Sequence, residues 1–298
     1  MLEQVELLMK KHIESIADSK SLELFEKVPK GKRLRAKLIM KIAGETQEAI
    51  NLASIVELIH AASLLHDDVI DDALTRRGVD SINAIFGNKT AIMLGDILYS
   101  KGFAELTKLP QEVSYSIANS VTKLSVGELL DVELANDFND DLDLYFDMIY
   151  KKTASLIESA AFCAAFLAKK DVAKYSVYGK NLGLAFQIID DVLDITQSSE
   201  VLGKPALNDF KEGKTTLPYL YMYNDINATD KSKLLSLFKK DLSKDEESWI
   251  KQKMAETKAV ERSIEYAQKL GYEALRMIEN ENSPDLEKII KEMIVREF

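Results

Sequence analysis

LIHAASLLHDDVIDDALTRRG, residues 58–78, decides the fold class of this chain. Apolar residues recur through its first part at helical spacing, within a predicted helix over 48–72. Its second part places Asp67, Asp68, Asp71 and Asp72 within six positions, directly after that apolar stretch. Asp67 and Asp71 are four residues apart and so share one helical face. The pattern returns in FQIIDDVLD, residues 186–194, where Asp190, Asp191 and Asp194 repeat the spacing and Asp190 and Asp194 align.

Runs of acids on helices are usually solvated faces, but that explanation does poorly here. Like charges four residues apart destabilise a helix by about 0.2–0.5 kcal/mol per pair, and carboxylates gathered in an apolar setting lose hydration as well. A bound cation removes both costs. Oxygen donors, without histidine or cysteine at metal spacing, favour a hard ion, and Mg²⁺ in particular binds through one or two carboxylates, waters and substrate phosphates. Both clusters also fall near the predicted C-terminal ends of their helices, where the backbone dipole favours a cation. Metal binding by the two clusters, Asp67, Asp68, Asp71 and Asp72 and then Asp190, Asp191 and Asp194, is therefore expected.

Basic residues gather beside these clusters. Lys32, Arg33 and Arg35 lie in PKGKRLRA, Arg76 and Arg77 follow the first cluster, Lys151 and Lys152 precede Thr153, and Lys204, Lys211 and Lys214 follow the second. Each alone reads as an ordinary surface charge; together with the acids they suggest phosphate oxygens bridged by metal and clamped by cations. His60 is seven residues before Asp67, two turns up the same helix. A structural histidine and a phosphate contact both fit it. His66 has no assigned role. Gln187, one turn before Asp190 and Asp191, can face the same cavity.

The rest of the chain sets the frame. Apolar residues keep helical spacing almost throughout, as at Leu34, Leu38, Ile39 and Ile42, and strand alternation is scarce. The predicted helices are 2–18, 33–44, 48–72, 89–108, 111–136, 142–168, 171–196, 216–223, 230–240, 244–256, 258–279 and 284–295. With 46% apolar and 30% charged residues but only 12 glycines and 5 prolines in 298 residues, the composition suits long helices rather than a turn-rich β fold. The net charge of −10 argues against a general nucleic-acid surface. Cys163, the single cysteine, sits in the apolar run AAFCAAFLA and excludes an intramolecular disulfide. The N-terminal stretch lacks the uninterrupted apolar segment of a signal peptide, and no stretch reaches 18 clean apolar residues, so a cytoplasmic protein without a transmembrane segment is expected. The acid-rich stretch 136–143 lacks the glycine and terminal glutamate of an EF-hand loop and is better explained by helix capping through Asn139 and Asp140. Pro284 suits a first helical position. The stretch from about 197 to 215 is the one long connection, a length that is usually functional inside a compact domain. No repeat or linker marks a boundary, so a single domain over 1–298 is expected. No Walker loop, nucleotide fingerprint or Ser-His-Asp constellation stands out.

Taken together, these segments resemble the trans-polyprenyl diphosphate synthases across nearly the whole chain. HDDVIDDALTRRG resembles that family's first aspartate-rich motif, and FQIIDDVLDITQSSEVLGKPALNDFKEGKTTLP its second with the loop that follows. GKRLR, LIHAASLLHDD, AIFGNKTAIMLGDILYS and KTASLIESA match further segments in the expected order. The family often shows GGKRxRP; here Lys30 replaces the first glycine and Ala36 the proline.

The resemblance implies an all-α, isoprenoid synthase-type bundle of about ten to thirteen helices around a central cavity, with the aspartate helices facing each other at its mouth, and a homodimer. It implies Mg²⁺ held on an allylic diphosphate by Asp67, Asp71 and Asp190, with Asp68, Asp191 and Asp194. Arg76, Lys152, Thr153, Gln187, Lys204 and Lys214 would contact that substrate. Lys32, Arg35, His60 and Arg77 would hold isopentenyl diphosphate, with Arg296 a closing contact. The implied reaction is repeated addition of isopentenyl diphosphate to an allylic primer, farnesyl or geranylgeranyl diphosphate. Thr153 and Gln187 would stabilise the cation, and the product would serve quinone side chains. Short-chain members commonly carry a bulky residue four or five positions before the first aspartate, whereas this chain has Ser63 and Ala62. A long-chain product, octaprenyl as the best single value, is therefore expected. Close helix crossing is the competing explanation for these small residues. A terpene cyclase would need neither the isopentenyl site nor the second intact motif. A non-catalytic prenyl diphosphate-binding subunit would be expected to have lost some of these acids and lysines, and a short-chain synthase remains the alternative product class.

Overall fold

The computed structural model describes residues 2–197, 207–281 and 283–294. In chain order its helices are α1 (Leu2–Glu14), α2 (Ser19–Lys27), α3 (Leu34–Ala43), α4 (Gln47–Ile70), α5 (Ile82–Phe86), α6 (Asn88–Leu106), α7 (Gln111–Leu134), α8 (Leu142–Ile149), α9 (Ser155–Leu167), α10 (Val172–Thr196), α11 (Asn208–Lys211), α12 (Leu217–Asp225), α13 (Ala228–Leu237), α14 (Lys244–Glu256), α15 (Ala259–Met277) and α16 (Pro284–Ile294). Among the described residues the only strands are β1 (Thr75–Arg76) and β2 (Val79–Asp80). The predicted all-α class holds. The chain divides into two compact units, Met1–Val121 with Ser159–Ser176, and Thr122–Glu158 with Val177–Phe298.

In the first unit α4 is the buried axis, packed on α1, α3 and α6. Thr46 starts it by accepting a hydrogen bond from the Ala49 N–H at 3.1 Å, and Leu52, Ala53, Val56, Leu58, Ile59 and Ala62 are fully buried. Among the described residues α4 alone is long and apolar enough to cross a membrane, and its apolar window is 78% buried inside the protein, as in a core helix. Helix α6 comes very close to it. A Cβ on Gly102 would stand 3.0 Å from the Ile59 side chain, and one on Gly95 would overlap the His66 ring. Ala62 and Ser63 lie on this same face of α4, between Ile59 and His66, so close helix crossing does bear on their small size.

Helix α4 ends where Asp72 enters left-handed backbone (φ 48°). The chain then turns back through the β1–β2 hairpin, with Thr75 opposite Asp80 and Arg76 opposite Val79. Its two-residue turn, Arg77 and Gly78, has φ of 56° and 77°, the sign a tight hairpin matching the strand twist requires at both positions.

The predicted helix 142–168 is continuous but not uniform, and its irregular part lies in the second unit. Between α8 and α9 the residues Tyr150–Ala154 form a π-helical turn. Two glycines seat this turn: a Cβ on Gly127 of α7 would come within 2.7 Å of the Lys152 Cα, and one on Gly183 of α10 within 2.5 Å of the Ala154 Cα. One core cluster joins Tyr145, Ile149, Ile188, Leu193, Leu217 and Leu220. A second joins Phe210, Tyr219, Leu234, Ile250 and Met254, with the Phe210 and Tyr219 rings stacked at 4.6 Å.

Several predicted boundaries move. The first predicted helix ends at Glu14 rather than 18, and α2, α5 and the hairpin were not expected. Asp141, not Asn139 or Asp140, caps α8, its carboxylate accepting from the Asp143 and Leu144 N–H groups at 2.8 and 3.2 Å. Asn139 instead braces that cap by accepting from the Asp141 N–H at 3.1 Å. Pro284 opens α16 as predicted. The fully buried Tyr178 ties that helix to α10 by donating to the Leu286 carbonyl at 2.8 Å. Tyr178→Phe removes this donor and is expected to lower unfolding stability by about 1–3 kcal/mol, measured by urea denaturation, with the helical circular dichroism unchanged.

Candidate active site

In the first unit the candidate residues converge around the end of α4. Glu57, 2% exposed, organises them: one carboxylate oxygen accepts from the Ala36 N–H at 2.9 Å and the other from Arg33 at 3.3 Å. This pins the start of α3 to α4. Arg33 itself sits in left-handed backbone (φ 53°) as the residue before α3 and also reaches Glu6 at 3.4 Å. Lys30, which stands where the family pattern has glycine, pairs with Glu6 as well. Gly31 beside it leaves room for the Arg77 guanidinium, whose nitrogens would stand 2.7 Å from a Cβ at that position. Arg77 in turn donates to the Pro29 carbonyl at 2.9 Å.

Arg35 is 8% exposed. Burial pulls its guanidinium down to about 10, against the pull of Glu57 and Asp67, with Arg77 adding to the fall. His60 is held neutral, well below its ordinary range, first by burial and then by Arg35, Arg77, Arg76 and Arg33. The Arg35 Nε and His60 Nδ1 are buried without a hydrogen-bond partner among the described residues. In a chain of net charge −10, four arginines acting on one histidine make a local positive field, and orphaned buried polar atoms within it are what an anion would satisfy. Lys32 is exposed at the edge of this segment.

The first aspartates divide in role. Asp68 is buried and ion-paired with Arg76; burial raises its pKa while Arg76 works against that rise. Asn83 clamps the turn below it, donating to the Asp68 and Ala73 carbonyls at 3.1 and 3.0 Å. Asp67 is half-buried, and Asp71 and Asp72 are exposed. His66 leans on α6, with Nε2 3.2 Å from the Ile92 carbonyl and 3.4 Å from Asp96.

In the second unit a pocket is lined by Lys152, Thr153, Gln187, Asp191, Lys214 and Tyr145, among others. The π-helical turn presents Lys152 and Thr153 to it; such turns recur at functional sites because the extra residue redirects side chains. Burial alone would lower the Lys152 pKa, but Asp131 at 2.6 Å and Glu128 at 3.0 Å outweigh it and hold the ammonium above its usual range. Thr153 donates to the Gln187 carbonyl oxygen at 2.7 Å. The Gln187 amide donates to Asp191 at 2.9 Å, and Tyr145 donates to the other Asp191 oxygen at 2.6 Å. Burial raises the Asp191 pKa strongly, with Asp209 adding to the rise and the two hydrogen bonds opposing it.

Asp190 lies half-buried on α10, whereas Asp194 is 2% exposed. Asp194 accepts from the Asp209 N–H at 3.1 Å, and its carbonyl accepts from Leu207 at 3.0 Å, which docks the start of α11. Lys214 pairs with Glu212 at 2.8 Å, and Lys211 reaches Asp241 at 3.4 Å. Lys204 and Arg296 lie outside the described residues.

Among the described residues no three acidic, histidine or cysteine side chains converge into a complete cation site. The donor set of carboxylate oxygens still fits Mg²⁺, which fills its octahedron with water and phosphate oxygens when the protein supplies only one or two ligands. Glu57, Asn83, Glu128, Asp131 and Tyr145 were not singled out from the sequence. The one signal for Glu57 is an acid inside the apolar run SIVELI, and for Glu128 and Asp131 their i, i+3 spacing in GELLD.

A family model described as polyprenyl synthetase matches residues 21–257. The chain belongs to the polyprenyl synthetase family. As a polyprenyl synthetase it is a prenyltransferase of isoprenoid biosynthesis with the family's all-α fold. The octaprenyl pyrophosphate synthase from Helicobacter pylori superposes with a TM-score of 0.94 at 43% identity, covering 99% of this chain and 98% of that one. A polyprenyl synthase from Caulobacter crescentus, solved with calcium and isoprenyl diphosphate, superposes at 0.90 with 27% identity over 100% of this chain and 95% of that one. A mitochondrial solanesyl-diphosphate synthase from Oryza sativa is 47% identical over 175 residues, 57% of this polyprenyl synthetase and 41% of the rice protein.

The depressed His60 pKa gives a pH signature. Unfolded His60 takes up a proton as pH falls through about 6.5 while the folded one does not, so its contribution opposes folding increasingly below that pH. His60→Asn is expected to lose less stability than the parent between pH 7.5 and 5.5, as read by urea denaturation at each pH.

Proposed function

We propose that the chain is a long-chain trans-prenyl diphosphate synthase that adds isopentenyl diphosphate repeatedly to farnesyl or geranylgeranyl diphosphate, with an octaprenyl product. The observation that carries the proposal is the group of Arg33, Arg35, Arg76 and Arg77 acting on a half-buried His60 whose Nδ1 is buried without a partner among the described residues, on a helix that terminates in aspartates. A diphosphate suits this combination, with cations for its oxygens and carboxylates for its counter-ions. Helicobacter octaprenyl and rice solanesyl synthases, as named relatives, support the long-chain class.

In this proposal Lys32, Arg35, His60 and Arg77 hold the diphosphate of isopentenyl diphosphate. Arg76, Lys152, Lys204 and Lys214 hold that of the allylic substrate. Asp67, Asp71 and Asp190 are the principal ligands for Mg²⁺, which when bound neutralises diphosphate charge and makes it a better leaving group. Thr153 and Gln187 turn oxygen lone pairs toward the allylic carbons as they lose the diphosphate, and the buried walls keep water from that centre. The departing diphosphate takes up the proton released after the new carbon–carbon bond forms. The chain is taken to act as one catalytic domain, as a homodimer in the cytoplasm, with α4 as a core helix. Exposed Ile92 and Met93 on α6, and Val126, Leu129 and Val132 on α7, are apolar side chains available to such a dimer.

Incubation of the purified protein with labelled isopentenyl diphosphate, farnesyl diphosphate and Mg²⁺, followed by chromatography of the dephosphorylated lipids, is expected to give octaprenyl product. No elongation would remove the proposal, and products that stop at farnesyl or geranylgeranyl length would move the chain to the short-chain class. Asp67→Ala and Asp190→Ala are each expected to lower turnover by several orders of magnitude while leaving thermal unfolding near that of the parent. Ala62→Phe is expected to shorten the product toward geranylgeranyl length with the first condensation intact. An unchanged product in an active Ala62→Phe enzyme would leave close helix packing as the reason for the small residue.

A further inference from the structure

The second-unit pocket contains a hydrogen-bonded chain whose direction is fixed at its buried end. Tyr145, fully buried, donates its only hydroxyl hydrogen to one oxygen of Asp191 at 2.6 Å. The other oxygen of Asp191 accepts from the Gln187 amide nitrogen at 2.9 Å. The Gln187 amide therefore turns its carbonyl oxygen the other way, where it accepts from the Thr153 hydroxyl at 2.7 Å. All four side chains line the same pocket.

The sense of such a chain matters because an amide has a donor end and an acceptor end, and a hydroxyl can turn either way. With Asp191 accepting from both sides, Gln187 turns its NH₂ end toward Asp191, giving it one of its two N–H hydrogens, and its carbonyl end toward Thr153, which spends its hydrogen there. At the Thr153 end the chain then offers lone pairs: those of the Thr153 oxygen and the second pair of the Gln187 carbonyl. Reversing the amide would put N–H donors at that end instead. Lone pairs stabilise a centre that is losing electron density, and an N–H opposes it.

On the proposed prenyl-transfer reading, we infer that Tyr145 and Asp191 are positioning residues that set the direction of the Gln187–Thr153 pair, Asp191 acting through this chain rather than as a ligand of the metal. Two features support the separation of Asp191 from its neighbour. Both its carboxylate oxygens are engaged inside the fold, and it is 4% exposed while Asp190 is half-buried. The far end of the chain is also fixed at the backbone, since Thr153 belongs to the π-helical turn seated on Gly127 and Gly183.

The test compares the parent with Tyr145→Phe, which deletes one oxygen, and Asp191→Asn, which keeps the shape but can present an N–H to Gln187. Single-turnover and steady-state rates are measured with farnesyl and isopentenyl diphosphates across a Mg²⁺ titration, with circular dichroism melting as the folding control. Tyr145→Phe is expected to lower kcat by about 10–100-fold, the usual scale for losing an outer-shell partner, with KM for both substrates within about threefold of the parent. Asp191→Asn is expected to lower kcat at least as much while the Mg²⁺ concentration for half-maximal rate stays at the parent value. Asp190→Asn is expected to raise that concentration. A parent-like kcat in Tyr145→Phe, or a raised Mg²⁺ requirement in Asp191→Asn, overturns the inference while leaving the prenyl-transfer reading intact. Should Tyr145→Phe not fold, the Asp191→Asn titration decides alone. A parent enzyme that forms no prenyl product overturns the reading and this inference with it.

Discussion

Burying a charge in a helical interior costs several kcal/mol unless the charge is paired and hydrogen-bonded, and this chain buries charge at each functional corner. Glu57 lies inside α4 with Arg33 and the Ala36 N–H on its two oxygens. Asp68 is paired with Arg76, Lys152 is held by Glu128 and Asp131, and Asp191 is held by Tyr145 and Gln187. Glu57 ties α3 to α4, Lys152 ties the π-helical turn to α7 and Asp191 ties α10 to α8 through Tyr145, so within each unit these charges also fix the local geometry.

The two units solve the anion problem and the cation problem separately. In the first, four arginines act on His60, and Arg35 retains a buried donor without an acceptor among the described residues. In the second, Lys152 sits between two carboxylates, and Thr153 and Gln187 are tied into a hydrogen-bonded chain that ends on the Asp191 carboxylate. The first arrangement favours a strongly charged guest; the second favours polar side chains held in one orientation.

The fold class was legible because helical spacing runs through most of the chain, and the aspartate clusters because four acids after an apolar helix have few structural explanations. Other features left no comparable trace. Arg33 and Arg77 occupy left-handed backbone although neither is a glycine or asparagine; in the hairpin turn only Gly78 carried a turn signal, and two-residue strands show no alternation, so the hairpin was missed. The π-helical turn adds one residue per turn without breaking helical hydrogen bonding, and no glycine or proline within it marks the place. Tyr145 falls at an apolar position of α8 and reads as core, which its ring is; only its hydroxyl meets Asp191. Asp141 displaced the expected caps because its side chain, one residue closer to α8, reaches two free N–H groups.

The seating of the π-helical turn on Gly127 and Gly183 has a consequence for how the site can change over evolutionary time. The turn takes its shape in part from side chains that its neighbours lack. A lineage could exchange the side chain at Thr153 or Lys152 only together with its partners Gln187 or Glu128 and Asp131, and a single methyl group gained at Gly127 or Gly183 would press directly on the backbone of Lys152 or Ala154. The flanking helices thus constrain what the turn can come to display.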